Sequence, residues 1–455
     1  MAGGSTGRSR FVTDASGSSE ARVPLRAALL WWLKLGFINF GGPAGQIALM
    51  HQELVDKRRW ISNGRYLHAL NYCMLLPGPE AQQLAIYIGW LLNGSFGGVA
   101  AGILFVLPAA LLMLGLAWLY AVHADVAWVA AIFYGLGAAV IGIVGTAVIR
   151  IGGNALKHPI LLVISASAFV AIFALQIAFP IIIITAAIVG FIGTVWRRDI
   201  FTVGTHGDAA DESPTAISDH SEESSRPGLR RSAAVIAMGL LVWWGPLLVV
   251  GLIRGREDVL TQEAIFFSQA AMVTFGGAYA VLSYINQAAV QQFGWLDPGQ
   301  MVAGLGLAES TPGPLILVTE FVGFLGAYRF PGGLHPVVAG SLGALVTVWA
   351  TFAPCFLWIF LGAPYIEHLR GNARLNGALT GVTAAVVGVI LNLAVTFGVL
   401  TLYGEVRRVD VLTGTVPIPV LSTLDSFAAV VAAVAFIGLW RFRWHVVPVI
   451  AASAM

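Results

Sequence analysis

Three acids and one lysine lie in sequence where charge is expensive. Glu80, Glu309, Glu320 and Lys34 fall inside stretches otherwise rich in Leu, Ile, Val, Ala and Gly. Burial of such groups is unfavourable unless they are paired or face an aqueous path, so each is a candidate for function. The acids gather around one tripeptide. Glu80 follows Pro77-Gly78-Pro79, while Glu309 precedes Ser310, Thr311 and Pro312-Gly313-Pro314, with Glu320 a short way beyond. Proline lacks an N–H and glycine allows unusual dihedrals, so this tripeptide breaks a helix or turns a re-entrant hairpin. A helix restarting after the break has unpaired amides in its first turn, which can bind an anion. Those amides belong to Glu80-Ala81-Gln82-Gln83 and to Leu315-Ile316-Leu317. A carboxylate beside an anion repels it, so a functional role for Glu80, Glu309 or Glu320 means gating or proton coupling. At Glu80 a second reading stands beside it: the acid complements the helix dipole. Lys34, in Trp31-Trp32-Leu33-Lys34-Leu35-Gly36, either contacts an anion pathway or snorkels to the interface.

The elements that position these residues occur twice. Pro77-Gly78-Pro79 recurs 235 residues later, and at the same offset Gly41-Gly42 recurs as Gly276-Gly277, Phe40 as Phe275 and Trp60 as Trp295. A repeat of this length is a duplicated structural unit. Gly41-Gly42-Pro43 and Gly276-Gly277-Ala278 supply two more breaks, so four helix ends could meet near the bilayer midplane. The competing explanation is that these glycines permit close helix crossing and the prolines kink. Further on, Ala138–Gly142 resembles Ala384–Gly388 and Pro108 matches Pro354, now at an offset of 246. The difference points to an insertion in the loop from Arg329 to Pro336.

Composition sets the class. The chain is 58% hydrophobic and 11% charged, with 53 glycines in 455 residues and a mean hydropathy of +0.82, which predicts a polytopic membrane protein. A net charge of +2 and three lysines give no footprint for nucleic acid. Cys73 and Cys355 lack CxxC spacing, so neither a disulfide framework nor a thiolate metal site is expected. No GxGxxG, haem-attachment, cysteine-cluster or Walker A sequence supports a redox enzyme or an ATP-driven pump. We expect no catalytic residues, metal or cofactor; a noncatalytic scaffold is the remaining alternative of another class. Aromatic and glycine-rich faces could mediate a homodimer or meet lipid.

Expected divisions are a disordered cytoplasmic tail (1–26), repeat 1 (27–196), a polar cytoplasmic linker (197–231), a connecting transmembrane helix (232–260), repeat 2 (261–440) and a C-terminal tail (441–455). Apolar segments fall near 27–50, 66–92, 97–120, 125–150, 159–177 and 178–196, then 232–253, 261–287, 300–327, 336–362, 374–402 and 417–440. The first of these could be re-entrant. Lys57-Arg58-Arg59 is basic whereas the matching Gln291-Gln292 region is not, as expected if the copies face opposite ways. The fold class is therefore an all-α polytopic membrane protein of two inverted-topology repeats, with broken or re-entrant helices at the GGP and PGP motifs.

Phe40-Gly41-Gly42-Pro43, Leu76-Pro77-Gly78-Pro79-Glu80-Ala81-Gln82-Gln83-Leu84-Ala85 and Thr311-Pro312-Gly313-Pro314 resemble the prokaryotic chromate transporter family, in its long, two-unit form. The resemblance covers about 27–440 and implies chromate efflux across the cytoplasmic membrane by two halves of opposite topology. Sulfate, another tetrahedral oxyanion, is the nearest alternative substrate. Expected binding residues are Gly41, Gly42, Pro43, Pro77, Gly78, Pro79, Gln82, Gln83, Gly276, Gly277, Ser310, Thr311, Pro312, Gly313, Pro314 and Lys34. Access would alternate by one repeat rocking against the other. Ala278 replaces Pro43 in the second copy, so the two GG turns are not equivalent.

Overall fold

The computed structural model describes residues 23–201, 228–275, 277–362, 373–411 and 414–454. Most of the expected N-terminal tail (1–22), the linker residues 202–227 and Gly276 lie outside the described residues. The first copy opens with α1 (Leu25–Ile38). The chain turns at Gly41 (φ 94°), and α2 (Gly42–His51) starts with proline in its first turn. A π-helical turn (Gln52–Lys57) follows, after which the Arg58 guanidinium lies 4.7 Å from the Trp31 ring and 5.0 Å from that of Trp60. Trp31 is in the second turn of α1, so the chain has come back to the face where α1 began. The segment 27–50 is thus a re-entrant hairpin.

A second hairpin follows. Helix α3 (Asn63–Cys73), capped by the Ser62 hydroxyl, runs to Pro77-Gly78-Pro79, and α4 (Glu80–His123) starts beyond it. Asn93 (φ −139°) and Gly94 (φ 65°) divide α4 into arms 80–92 and 95–123. The Asn93 side chain donates to the Val23 carbonyl at 3.0 Å, placing the end of the first arm beside the start of α1. The second arm, α5 (Ala127–Ala155), α6 (Pro159–Phe173) and α7 (Phe179–Trp196) then make four passes. After the short α8 (Arg198–Phe201), α9 (Leu229–Arg254) makes a fifth, so the second copy starts from the opposite face. Over the described residues an odd number of passes separates the copies, which inverts the repeat.

The second copy follows the same course through α10 (Val259–Met272), α11 (Ala278–Asn286), a π-helical turn (Gln287–Gln292), α12 (Pro298–Ser310), a 3-10 turn (Leu315–Leu317) and α13 (Val318–Arg329). Arg329 closes its second hairpin by reaching Asp297 at 2.7 Å and the Gly294 carbonyl at 3.2 Å. Phe266, Phe293 and Trp295 occupy the places of Trp31, Arg58 and Trp60, with Phe293 and Trp295 stacked 4.3 Å apart. The cation–π contact of one face has become an aromatic stack on the other. Helix α14 (Pro336–Gly362) corresponds to the second arm of α4; the extra residues lie around the loop 330–335, where the change of offset put them.

The end of each copy packs on the other. After α15 (Ala373–Leu402) comes an antiparallel hairpin, β1 (Val406–Val411) and β2 (Gly414–Pro419), then α16 (Ser426–Arg441) and α17 (Val446–Ser453). A Cβ on Gly142 of α5 would stand 2.7 Å from the Phe436 nitrogen and 2.9 Å from the Ala432 oxygen of α16. On Gly388 of α15 it would meet the Ser165 oxygen and, at 2.9 Å, the Phe169 nitrogen of α6. Gly388 is the counterpart of Gly142 at the offset of 246, while Ala432 and Phe436 match Ser165 and Phe169 at 267. The added residues are the β-hairpin. Segment 417–440 therefore begins in β2, and its helix starts at Ser426. Residues 441–455, expected as a tail, carry α17, which packs on α5 and α12 and buries Val449 and Ile450. Cys73 and Cys355 are free and buried, as core residues.

Candidate functional site

The two PGP turns are tied to the opposite copies. The Gly78 N–H donates to the Thr274 carbonyl at 2.9 Å, and the Gly313 N–H donates to the Asn39 carbonyl at 3.3 Å. Gly313 and Thr274 stand 235 residues after Gly78 and Asn39, so the two bonds are the same bond seen from either copy. Both glycines have positive φ, 118° and 116°, a conformation that side-chain-bearing residues rarely adopt. Each PGP turn thereby sits against the GG turn of the other half. Gln46 reinforces one crossing, donating to the Asn39 carbonyl at 3.0 Å and the Gly313 carbonyl at 2.6 Å.

Between these turns lies a cavity of about 20 Å³, lined by the starts of four helical segments. They are Pro43 and Gln46 of α2, Pro79, Glu80 and Ala81 at α4, Gly277 and Ala278 at α11, and Pro314, Leu315 and Ile316 at the 3-10 turn, with Gly78 and Thr274 between them. No side chain caps α4 or α11. In α4 the first amide paired to backbone is that of Gln83, which donates to the Pro79 carbonyl, leaving the Glu80 and Ala81 N–H groups for the cavity. Four positive helix ends at one point favour an anion. Among the described residues Glu80 is the one ionisable side chain of the lining, and it works against an anion. The space holds about one water, so a tetrahedral ion requires the walls to part.

The expected residues divide clearly. Pro43, Gly78, Pro79, Pro314, Gly277 and Glu80 line the cavity; Gly41, Gly42, Pro77, Pro312 and Gly313 shape its turns. Gln82 and Gln83 do not reach it. They brace the hairpin, donating to the carbonyls of Gly102 (3.5 Å) and Pro77 (2.7 Å). Ser310 and Thr311 bond back to the Leu307 and Ala308 carbonyls, closing the end of α12 instead of facing a ligand. Lys34 is exposed on the outward side of α1 with Leu30, Leu33 and Phe37, which corrects its placement in the site. Glu309 accepts a hydrogen bond from the Tyr279 hydroxyl, which joins α12 to α11, and Glu320 is buried in α13; neither lines the cavity.

Sequence reasoning missed Gln46, Thr274 and Tyr279. An amide-bearing residue just past the Gly41-Gly42-Pro43 break was the available signal for Gln46. Glu263 was also missed: it is fully buried in α10, and a Cβ on Gly326 or Gly343 would lie 2.7 or 2.8 Å from its carboxylate oxygens. Among the described residues no cluster of His, Cys, Asp and Glu could hold a metal.

The sequence pattern of the Chromate transporter family matches residues 27–191 and 261–455, one stretch for each copy. The chain belongs to the chromate transporter family. Among similar proteins are a "Chromate transport protein" of Pseudomonas aeruginosa, 32% identical over 93% of this chain and 89% of its own length. Another of that description, from Cupriavidus metallidurans, is 29% identical over 94% of this chain and 96% of its own length. A "Probable chromate transport protein" of Synechococcus elongatus is 30% identical over 82% and 84%. No solved structure matches the chain. This chromate transporter family member is a multi-pass membrane protein, with six helices among its described residues long and apolar enough to cross a bilayer.

Proposed function

We propose that this chain is a secondary transporter that exports chromate across a prokaryotic cytoplasmic membrane, binding the ion at the cavity between its two copies. The convergence of four helix starts on one point inside the bundle carries this reading. Backbone amides there read shape and charge, so sulfate is the natural competitor. The basic loop Lys57-Arg58-Arg59 assigns the N-terminal face to the cytoplasm. An inside-negative potential then favours exit of a dianion by about 4.6 kcal/mol per 100 mV, or about three decades of concentration.

The copies differ in closure, which suggests how access alternates. Helices α11 and α12 are buried along most of their length and pack on α15 and α5, and Tyr279–Glu309 fastens them together. Their counterparts α2 and α3 bury only Gln46 and Met50, and Tyr66, Ala69, Tyr72 and Cys73. The outer hairpin is shut and the cytoplasmic one is looser. Because the copies interlock through α6, α7, α16 and α17, rocking of whole repeats gives way to movement of these hairpins against α5 and α15. Glu80 serves as the gate or proton-coupling group within the cavity.

The test is chromate flux in proteoliposomes with an imposed potential and independently set internal and external pH. Outward-directed movement driven by potential, inhibited by sulfate and lost when Pro77-Gly78-Pro79 is replaced by alanines, is expected. Undiminished flux in that variant rejects the cavity as the site.

A further inference from the structure

A row of buried oxygen-bearing side chains leads away from the central cavity through the second copy. The Glu263 carboxyl of α10 is wedged against two neighbouring helices: a Cβ on Gly326 of α13 would stand 2.7 Å from its Oε1, and one on Gly343 of α14 would stand 2.8 Å from its Oε2. One turn along α14 the Thr347 hydroxyl packs on Gly323, itself one turn along α13 from Gly326. Glu320 and Thr351 come at the next turn of each helix. These four side chains are between 0% and 3% exposed. Among the described residues, both oxygens of Glu263, Oε2 of Glu320 and the two hydroxyls have no hydrogen-bond partner. Successive levels lie about 4.5–6 Å apart along the helices. Inward, α13 starts just after Leu315 and Ile316 of the central lining, and the next turn of α14 after Thr351 brings Cys355, whose Sγ would lie 3.0 Å from a Cβ on Gly78. Outward, Asp258 caps α10 just over one turn before Glu263 and pairs with Arg254 at 2.8 Å.

The fold does not require these oxygens. At the offsets of 235 and 246, Glu263, Glu320, Thr347 and Thr351 correspond to Ala28, Ala85, Ala101 and Phe105, all buried in the first copy. The same seam between helices closes there with apolar side chains, so packing leaves the acids of the second copy unexplained. Acids inside a membrane span mark proton relays and ion pathways. Among the described residues, the other titratable groups that the packed elements bring toward this row are Asp258 with Arg254 of α9, Tyr328 and the Asp297-bound Arg329 at the outer end of α13, Tyr120 (against Phe321) and His123 of α4, Glu309 of α12 bonded to Tyr279, Tyr284 of α11 against Phe266, and the Cys355 thiol of α14.

We propose that Glu263, Thr347 and Glu320 form the outer half of a proton path, which brings protons from the outer face to the central cavity in exchange for the exported oxyanion. The proposal rests on the reading of that cavity as an oxyanion site with Glu80 as its coupling group. Each transfer balances: the Thr347 oxygen takes the proton of Glu263 as its own proton passes to the Glu320 carboxylate, and Glu320 then releases a proton toward Glu80. Export of a dianion and entry of protons move charge in the same sense, so an inside-negative potential drives both. An acid exterior adds to that drive.

The experiment makes a pH gradient the sole driving force. Oriented vesicles are held at zero potential with potassium and valinomycin, in sodium-free buffer alkaline enough on both sides for chromate to stay a dianion. With the outer-face compartment more acidic by about one pH unit, the wild type is expected to accumulate chromate there about tenfold per proton exchanged. Glu263→Gln and Glu320→Gln, which keep the shape, should abolish this accumulation while retaining chromate flux driven by an imposed potential at uniform pH. That retained flux separates loss of the path from misfolding. Accumulation that persists in both variants overturns the proposal, and so does loss of both kinds of flux in both variants, which would make the acids structural. A wild type that moves chromate by potential, or by a sodium gradient, but never by pH overturns the proton path and leaves the central site standing. Absence of chromate and sulfate flux in the wild type overturns both readings.

Discussion

At the scale of the residue, Gly78 and Glu80 carry separable duties. Gly78→Ala adds a Cβ 2.9 Å from Gln83 Nε2 and 3.0 Å from Cys355 Sγ, at a φ of 118°. Chromate flux is expected to fall by about tenfold or more, since distortion of about 2 kcal/mol is enough to displace the turn. Adding Cys355→Ala removes the crowding but leaves the dihedral penalty, so the double variant should stay impaired; recovery to wild-type flux would show that packing alone governs the turn. Glu80→Gln keeps the shape and removes the proton exchange. Its flux is expected to lose dependence on pH while retaining dependence on potential, and a wild-type pH profile would strike Glu80 from the coupling role.

At the scale of the element, what could be read from sequence was the break, and what could not was the direction taken after it. Proline and glycine announced the turns at 41–43, 77–79 and 312–314, and the gap between segments 66–92 and 97–120 anticipated the break at Asn93-Gly94. Gln82, Gln83, Ser310 and Thr311 looked like ligands because they are polar and adjacent to a turn. Helical phase and local carbonyls decide their direction, and a one-dimensional string does not expose those. Lys34 misled for a related reason: a cation in an apolar run marks depth, not the side of the helix it occupies. The hairpin of α4 makes a test. Gly89 and Gly97 face each other across its arms, and a Cβ on Gly89 would stand 2.6 Å from the Gly97 oxygen. Gly89→Leu is expected to lower stability by about 1–3 kcal/mol, seen as a lower melting temperature in detergent, because the arms must separate. An unchanged melting temperature would mean that the arms are not held at this contact.

At the scale of the whole molecule, duplication was legible and interlock was not. Offsets of 235 and 246 were visible because Pro-Gly-Pro and Ala-Ala-Val punctuate the chain. The third offset, 267, hides in helices whose only common demand is a small residue opposite Gly142 or Gly388. Since α6 and α7 pack on α15 while α16 and α17 pack on α5, the halves hold each other without their covalent link. Separate chains divided between Phe201 and Gly228 are expected to co-purify and restore flux when made together, and to be degraded when made singly. Independent stability of either half would contradict the mutual wrapping. Helix α9 plays a different part from all of these. It is apolar, with Leu241, Leu252 and Ile253 turned outward, and little of its span is buried in the protein. Its contribution is parity: with one more pass, a copy of the same sequence design meets its twin head to tail. A lineage could therefore vary nearly every outward residue of this helix and keep the geometry of the centre, but could not delete it without standing the second half on its feet.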